Sequence, residues 1–331
     1  MIHLLLVKRV NNFMHDRSIL LSVIVPMYNE QEVIDAFLER ALKVLTENYN
    51  WFELILVDDG SQDLTVEKCL TYISKYPQIR LLKFSRNYGH EIASTAGFDH
   101  AKGDYVVLMD ADLQHPPELI PKMFEKAEEG FDVVCGQQNQ RPIETKMRRF
   151  FSKMYYRISR KMTGLDIPQG QGNFRLLSRV VVESLKKMRE NNRHLVMLFA
   201  YMGFNTASIG YDCPPRAGGA SKYNFRKLMN LALDSIIGFS GRPLRTMALF
   251  STGISFVMMM YAGFILIEKL LSPQHLLDGL ASVIFLIAGL FSILFLFLAI
   301  ISEYISRILI ETKNRPLYYI QQEISRVEEK A

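Results

Sequence analysis

The chain has 331 residues, 49% of them hydrophobic and 22% charged, with 39 Lys and Arg against 34 Asp and Glu. That apolar, aromatic content excludes a disordered chain, and charged stretches break it too evenly for a polytopic transporter. A formal charge of +5 over this length gives no reason to expect nucleic acid; it suits an anionic partner or a cytoplasmic membrane face. Cys69, Cys135 and Cys213 are far apart with no CxxC, which points to neither a disulfide framework nor a zinc site but to reduced, packed thiols.

In chain order, residues 1–18 form an N-terminal extension whose MIHLLLVKRV holds too short an apolar run for a signal peptide; Met14 is an alternative start. An α/β domain is expected over 19–223. Five apolar, β-branched runs read as strands: LLSVIVPMY, FELILVDDGS, IRLLKFSRN, YVVLMDADLQ and FDVVCGQ. Helical patterns lie between them: EQEVIDAFLERALKVLTE, DLTVEKCLTYISKY, HEIASTAGFDHAKG and PPELIPKMFEKAEEG. This alternation predicts a Rossmann-like, mostly parallel sheet with helices on both faces. Ligands of such sheets bind beyond the carboxyl ends of the strands, where this chain places its polar clusters. Neither GxGxxG nor GxxxxGK[ST] is present.

The strongest cluster is VLMDADLQHPPE. Alternate residues of an extended chain share a face, so Asp110, Asp112 and Gln114 form a hard-oxygen site suited to Mg²⁺ or Mn²⁺ and completed by substrate phosphates. A solvated acidic turn is the bland alternative. In VDDGSQD, Asp58 and Asp59 are placed to accept hydrogen bonds from a base or ribose, while Ser61 or Asp63 caps the next helix. In VPMYNE, Pro26 shapes the turn and Tyr28 packs on a base. RAGGASKY offers Arg216, Ser221 and Lys222 around flexible glycines, a phosphate loop or a plain solvated one. Arg141, Arg148, Arg149 and Ser152 form a second candidate phosphate clamp or an ordinary basic helix.

Residues 224–241 read as an amphipathic helix: Phe225, Leu228, Met229, Ala232, Ile236 and Phe239 share one face. It lies in the membrane interface or on the soluble domain. Thr246–Ile267 and Gly279–Ser302 carry no charge, and each is long enough to span a bilayer, so 242–305 is expected to be a transmembrane hairpin. Arg242, Arg245, Arg307, Lys313 and Arg315 flank its outer ends, which puts both ends in the cytoplasm and the short loop outside. The tail, 306–331, docks either on a neighbouring subunit or on its own domain.

Taken together, VPMYNE, VDDGS, FSRNYGHEIASTAGFDHAKGD, MDADLQHPPE, GNFRLLSR, GGASKYN and SEYISRILIETKNRPLYYI, in this order, resemble the polyprenyl-phosphate glycosyltransferases of the GT-A, family 2 type. The bacterial undecaprenyl-phosphate glucosyltransferases are the nearest group in pattern, and dolichyl-phosphate mannose synthase is more distant. The resemblance covers roughly residues 20–320. It implies inverting transfer of a sugar, glucose in the nearest group, from a UDP-sugar to the phosphate of a membrane polyprenol. It also implies a homotetramer and a product used in cell-envelope glycan modification. Carried over by position, Pro26, Tyr28, Glu30, Asp58 and Asp59, with Arg86, Arg141, Arg148 and Ser152, bind the nucleotide sugar. Asp110, Asp112 and Gln114 hold the metal, and Arg216, Ser221 and Lys222 meet the lipid phosphate.

Two departures stand out. Asn173 occupies the place of an Asp proposed as catalytic base, and an amide takes no proton; Arg175 beside it remains a candidate orienting residue. Gln137 and Gln138 stand where relatives often carry Lys or Arg, so that one phosphate contact is either missing or supplied by Arg141. A processive polysaccharide synthase is the competing enzyme reading. Its Gln-x-x-Arg-Trp motif is absent, because Trp51 is the only tryptophan and starts a strand. A membrane scaffold that has lost the chemistry is the non-enzyme alternative, opposed by the intact DADLQ.

Overall fold

The structure is a computed structural model. It describes residues 19–139, 171–212, 242–271 and 280–326, together with 157, 160, 161, 163 and 164. Arg141, Arg148, Arg149, Ser152, Arg216, Ser221, Lys222, the N-terminal extension and the amphipathic stretch 224–241 lie outside the described residues.

Eight strands form one sheet: β1 (Leu21–Met27), β2 (Phe52–Asp58), β3 (Ile79–Phe84), β4 (Tyr105–Leu108), β5 (Val133–Gln138), β6 (Gln171–Ser178), β7 (Thr206–Tyr211) and β8 (Ile320–Ser325), in the order β7-β5-β6-β4-β1-β2-β3-β8. The same unit carries helices α1 (Ile34–Asn48), α2 (Thr65–Ile73), α3 (His90–His100), α4 (Ile120–Glu128), α5 (Arg179–Lys186) and α6 (Leu195–Met202). The block β4–β1–β2–β3 is parallel, as are β5 and β7; β6 and β8 run antiparallel to their neighbours.

The central strands are apolar throughout because both faces are covered. Val23, Val25 and Met27 join the core under α1, α2 and α4. Ile24, one residue out of phase, meets α3: a Cβ on Gly97 would come within 2.1 Å of its Cγ2. Only a residue without a side chain lets this helix lie so close to the central strand.

Sequence periodicity finds β1–β5 and α1–α4. It misses β6, β7 and β8 as strands. β7 alternates between exposed and half-buried residues at a sheet edge, and β8 is separated from the rest of the sheet by the apolar helices. β8 places the tail on its own domain. It pairs antiparallel with β3, Ser85 N donates to Tyr319 O at 3.1 Å, and Arg80 bridges to Glu323. Tyr318 stacks on Phe84 with ring centroids 5.2 Å apart and donates to Asp99 Oδ2 at 2.8 Å.

A second unit contains α7 (Arg242–Leu271) and α8 (Leu280–Thr312). Among the described residues one helix is long and apolar enough to cross a membrane, Gly289–Thr312 within α8; α7 contributes the shorter apolar stretch Thr246–Met258.

Candidate active site

A cavity of about 370 Å³ opens at the carboxyl ends of β1 and β4. Pro26, Tyr28 and Glu30 line it from the end of β1, Asp59 from the end of β2, Asn87, Gly89 and His90 from the turn into α3, and Asp110 and Asp112 from the segment after β4. The polar clusters therefore converge as sheet topology requires.

The first two loops are laced together. Asn29, at φ +54°, receives Gln62 N on its side-chain oxygen at 2.9 Å, and its own amide donates to Ser61 Oγ at 2.9 Å. Glu30 N donates to Thr65 Oγ1 and Gln31 N to Asp63 Oδ2. Ser61 and Asp63 thus hold the facing loop, and Asp63 alone of the two also holds the start of α2, its Oδ1 accepting Thr65 N at 3.0 Å. Asp58 is fully buried, accepts Ser61 N at 3.1 Å and does not line the cavity. Asp59 is 3% exposed and accepts the amides of Tyr88 and Gly89 at 2.6 and 2.9 Å. Burial raises the pKa of both acids, and the hydrogen bonds from these amides oppose the rise. Gly60, at φ +77°, passes so close to the next loop that a Cβ would meet the Arg86 carbonyl carbon at 2.8 Å. Arg86 itself lies outside the cavity lining, with its guanidinium 4.0 Å from the Tyr88 ring centroid.

β4 stops at Leu108, before the acids, so strand alternation does not align Asp110, Asp112 and Gln114. A turn does the work instead. Leu113 takes φ +61°, and Gln114 N donates to Asp112 Oδ1 at 3.1 Å. Asp110 N donates to His115 Nδ1 at 2.9 Å, and the imidazole, 6% exposed, stacks on Phe174. Since Nδ1 accepts there, its 3.7 Å approach to Asp110 Oδ2 is no charged pair. Asp110 and Asp112 line the cavity; Gln114 does not.

His90 is the residue that sequence reasoning missed. Its Nε2 lies 2.7 Å from Asp110 Oδ1 and its Nδ1 3.4 Å from Asn173 Nδ2. Burial opposes its protonation and is the largest single influence; the Asp110 charge and hydrogen bond, with Glu91 and Asp59, outweigh it and raise the pKa to about 9. The signal was present in the sequence: a histidine opening a helix on the same rim as the acids.

Arg175 is 3% exposed and does not reach the cavity. It donates from Nε to Gly172 O at 3.1 Å, lies 4.8 Å over the Phe199 ring, and has one terminal nitrogen without a hydrogen-bond partner. Burial lowers its pKa, against the attraction of Cys135 and Glu91. Its observed contact is to the backbone just before Asn173.

No group of three or more His, Cys, Asp or Glu forms a metal cage among the described residues. The donor set is two carboxylates on one cavity wall. That set fits Mg²⁺ or Mn²⁺, which keep water and take substrate phosphate oxygens as further ligands.

The description "Glycosyl transferase family 2" matches residues 22–186. An uncharacterized glycosyltransferase of Synechocystis sp. is 38% identical over 92% of this chain and 95% of its own. The bactoprenol glucosyl transferase of Shigella phage SfV is 33% identical over 92% of this chain and 98% of its own. Among solved structures, glucosyl-3-phosphoglycerate synthase from Mycobacterium tuberculosis in complex with Mn²⁺, UDP and phosphoglyceric acid aligns with a TM-score of 0.50 at 15% identity, covering 70% of this chain and 80% of that one. The fold is GT-A-like, and the family match with the relatives makes the chain a glycosyltransferase. The chain belongs to glycosyl transferase family 2.

Proposed function

We propose that this enzyme transfers glucose from UDP-glucose to the phosphate of undecaprenyl phosphate, with inversion at the anomeric carbon. Donor and acceptor would meet at the cytoplasmic face of a membrane crossed by both α7 and α8, and the chain would act as a homo-oligomer, a tetramer by resemblance. The product would serve as a lipid-linked sugar donor for the cell envelope. The carrying observation is the placement of Asp110 and Asp112 in one cavity with Pro26, Tyr28 and Glu30, at the ends of β4 and β1. Relatives named bactoprenol glucosyl transferase, aligned over nearly their whole length, support a polyprenyl phosphate acceptor.

In this reading Tyr28 and Pro26 flank the nucleoside, while Asp59 acts indirectly by fixing the Tyr88–Gly89 backbone beneath it. Asp110 and Asp112 hold the cation, with Gln114 bracing Asp112 through its amide. When bound, a divalent ion supplies neutralisation of the diphosphate and stabilises it as it departs. An acceptor oxygen attacks the anomeric carbon, and the bond from that carbon to the diphosphate oxygen breaks. A phosphate monoester has its second pKa near 6, so the acceptor is mostly dianionic at neutral pH and needs no base. Asn173 is compatible with that chemistry. Arg148, Ser152, Arg216, Ser221 and Lys222 are assigned to the phosphates by resemblance alone.

The test is incubation of the full chain with labelled UDP-sugars, undecaprenyl phosphate and Mn²⁺ or Mg²⁺. A chloroform-soluble labelled product from UDP-glucose is expected. A long polymer would establish the processive synthase, and no turnover with any donor would establish the scaffold.

A further inference from the structure

We propose that His90 is a positioning residue for the cation-holding pair: it fixes the Asp110 carboxylate, and Asn173 fixes His90. The inference rests on the reading of Asp110 and Asp112 given above. Three elements meet in this contact. Asp110 comes from the loop after β4, His90 from the first position of α3, and Asn173 from β6, which lies beside β4 in the sheet. The imidazole spans them, 2.7 Å from one partner and 3.4 Å from the other, the second contact being long.

The ring is itself well anchored. Gly89, at φ +100°, makes the turn into α3, and its amide and that of Tyr88 are held by the buried Asp59. Asp110 is anchored at its main chain by the stacked His115. Asp110 stands on the loop beyond its strand, and the 2.7 Å contact with His90 directs one of its carboxylate oxygens. Hydrogen bonds of this kind to ligating carboxylates are typically worth about 10–100-fold in metal affinity.

Asn173 suits this part better than the Asp that the family pattern leads one to expect. An amide presents an N–H or a C=O and so satisfies either protonation state of the ring. A carboxylate would satisfy only the protonated ring and would add a third negative charge beside Asp110 and Asp112.

The experiment uses the full chain in detergent. Mn²⁺ binding in the presence of UDP is followed by the electron paramagnetic resonance signal of the free ion, with no sugar transfer involved. His90→Ala is expected to weaken Mn²⁺ binding about 10–100-fold, and Asn173→Ala to weaken it less, in the same direction. His90→Gln, whose amide reaches the same carboxylate without titrating, is expected to recover most of the loss. Should His90→Ala fail to fold, the pair His90→Gln and His90→Asn carries the same comparison, since the shorter amide falls short of Asp110. Wild-type affinity in His90→Ala or His90→Asn, or a Gln variant no better than these, overturns the inference and leaves the proposed function standing. If the wild type itself binds no Mn²⁺ with UDP, the cation reading falls and takes this inference with it.

Discussion

At the residue scale the site depends on a few contacts whose loss has distinct signatures. Asp112→Asn keeps the shape and the bond from Gln114 N but halves the charge of the donor pair. Turnover of the purified enzyme is expected to disappear while the melting curve stays put; retained activity would remove Asp112 from the cation site. Gly60→Ala strikes the backbone of Arg86 and forces a side chain into a positive φ. The expected cost is about 1–3 kcal/mol, read from chemical denaturation, with donor binding impaired because the Arg86–His90 loop must shift. Cys69 and Cys135 are buried, and burial pushes the Cys69 thiol up to about 12. Neither should react with iodoacetamide at pH 8 in the native enzyme, and mass spectrometry of the labelled chain checks this. Much of the site was legible at this scale, because DxD and DDGS are local patterns of donor atoms. For His90 the sequence held only the hint of a histidine opening a helix on that rim; its partners are 20 and 83 positions away, and only the sheet order joins them.

Among the elements, the strand order explains what periodicity found and missed. β1 and β2 are buried along their whole length and read as plain apolar runs. β6 hides in GNFRLLSR because Asn173, Arg175 and Ser178 interrupt its apolar residues, and its place beside β4 follows from no local signal. The DADLQ segment was correctly located but assigned the wrong local geometry. Extended alternation gives way to a turn at Leu113, which positive φ alone makes visible. β8 is the least predictable piece, and it shields the outer edge of β3. Unprotected edges invite pairing with other chains. Tyr318→Phe removes the hydrogen bond to Asp99 and leaves the stack on Phe84. A loss of about 1 kcal/mol in thermal or chemical unfolding is expected; an unchanged midpoint would show that the tail is held by main-chain pairing alone.

For the molecule as a whole, two units of opposite character share one chain: an α/β unit with a polar rim and a helical pair with apolar sides. The two uncharged runs read from the sequence fall in the second unit, where among the described residues one helix, Gly289–Thr312, is long and apolar enough to cross a membrane. The proposed hairpin is tested by cysteine scanning in cells. A single cysteine replacing Ser272, between α7 and α8, is expected to label with an impermeant maleimide from outside. One replacing Arg315 is expected to be protected until the membrane is opened. Labelling of both positions from the same side would reject the two-span topology.

The last strand of the α/β sheet is also the last to be synthesised. While the ribosome is still making α8, β3 has no partner on its outer side, and the Phe84 ring lacks the Tyr318 that will cover it. A chain that stalls in its apolar helices keeps a nearly complete α/β unit with one uncovered border, the kind of edge that other chains can pair with.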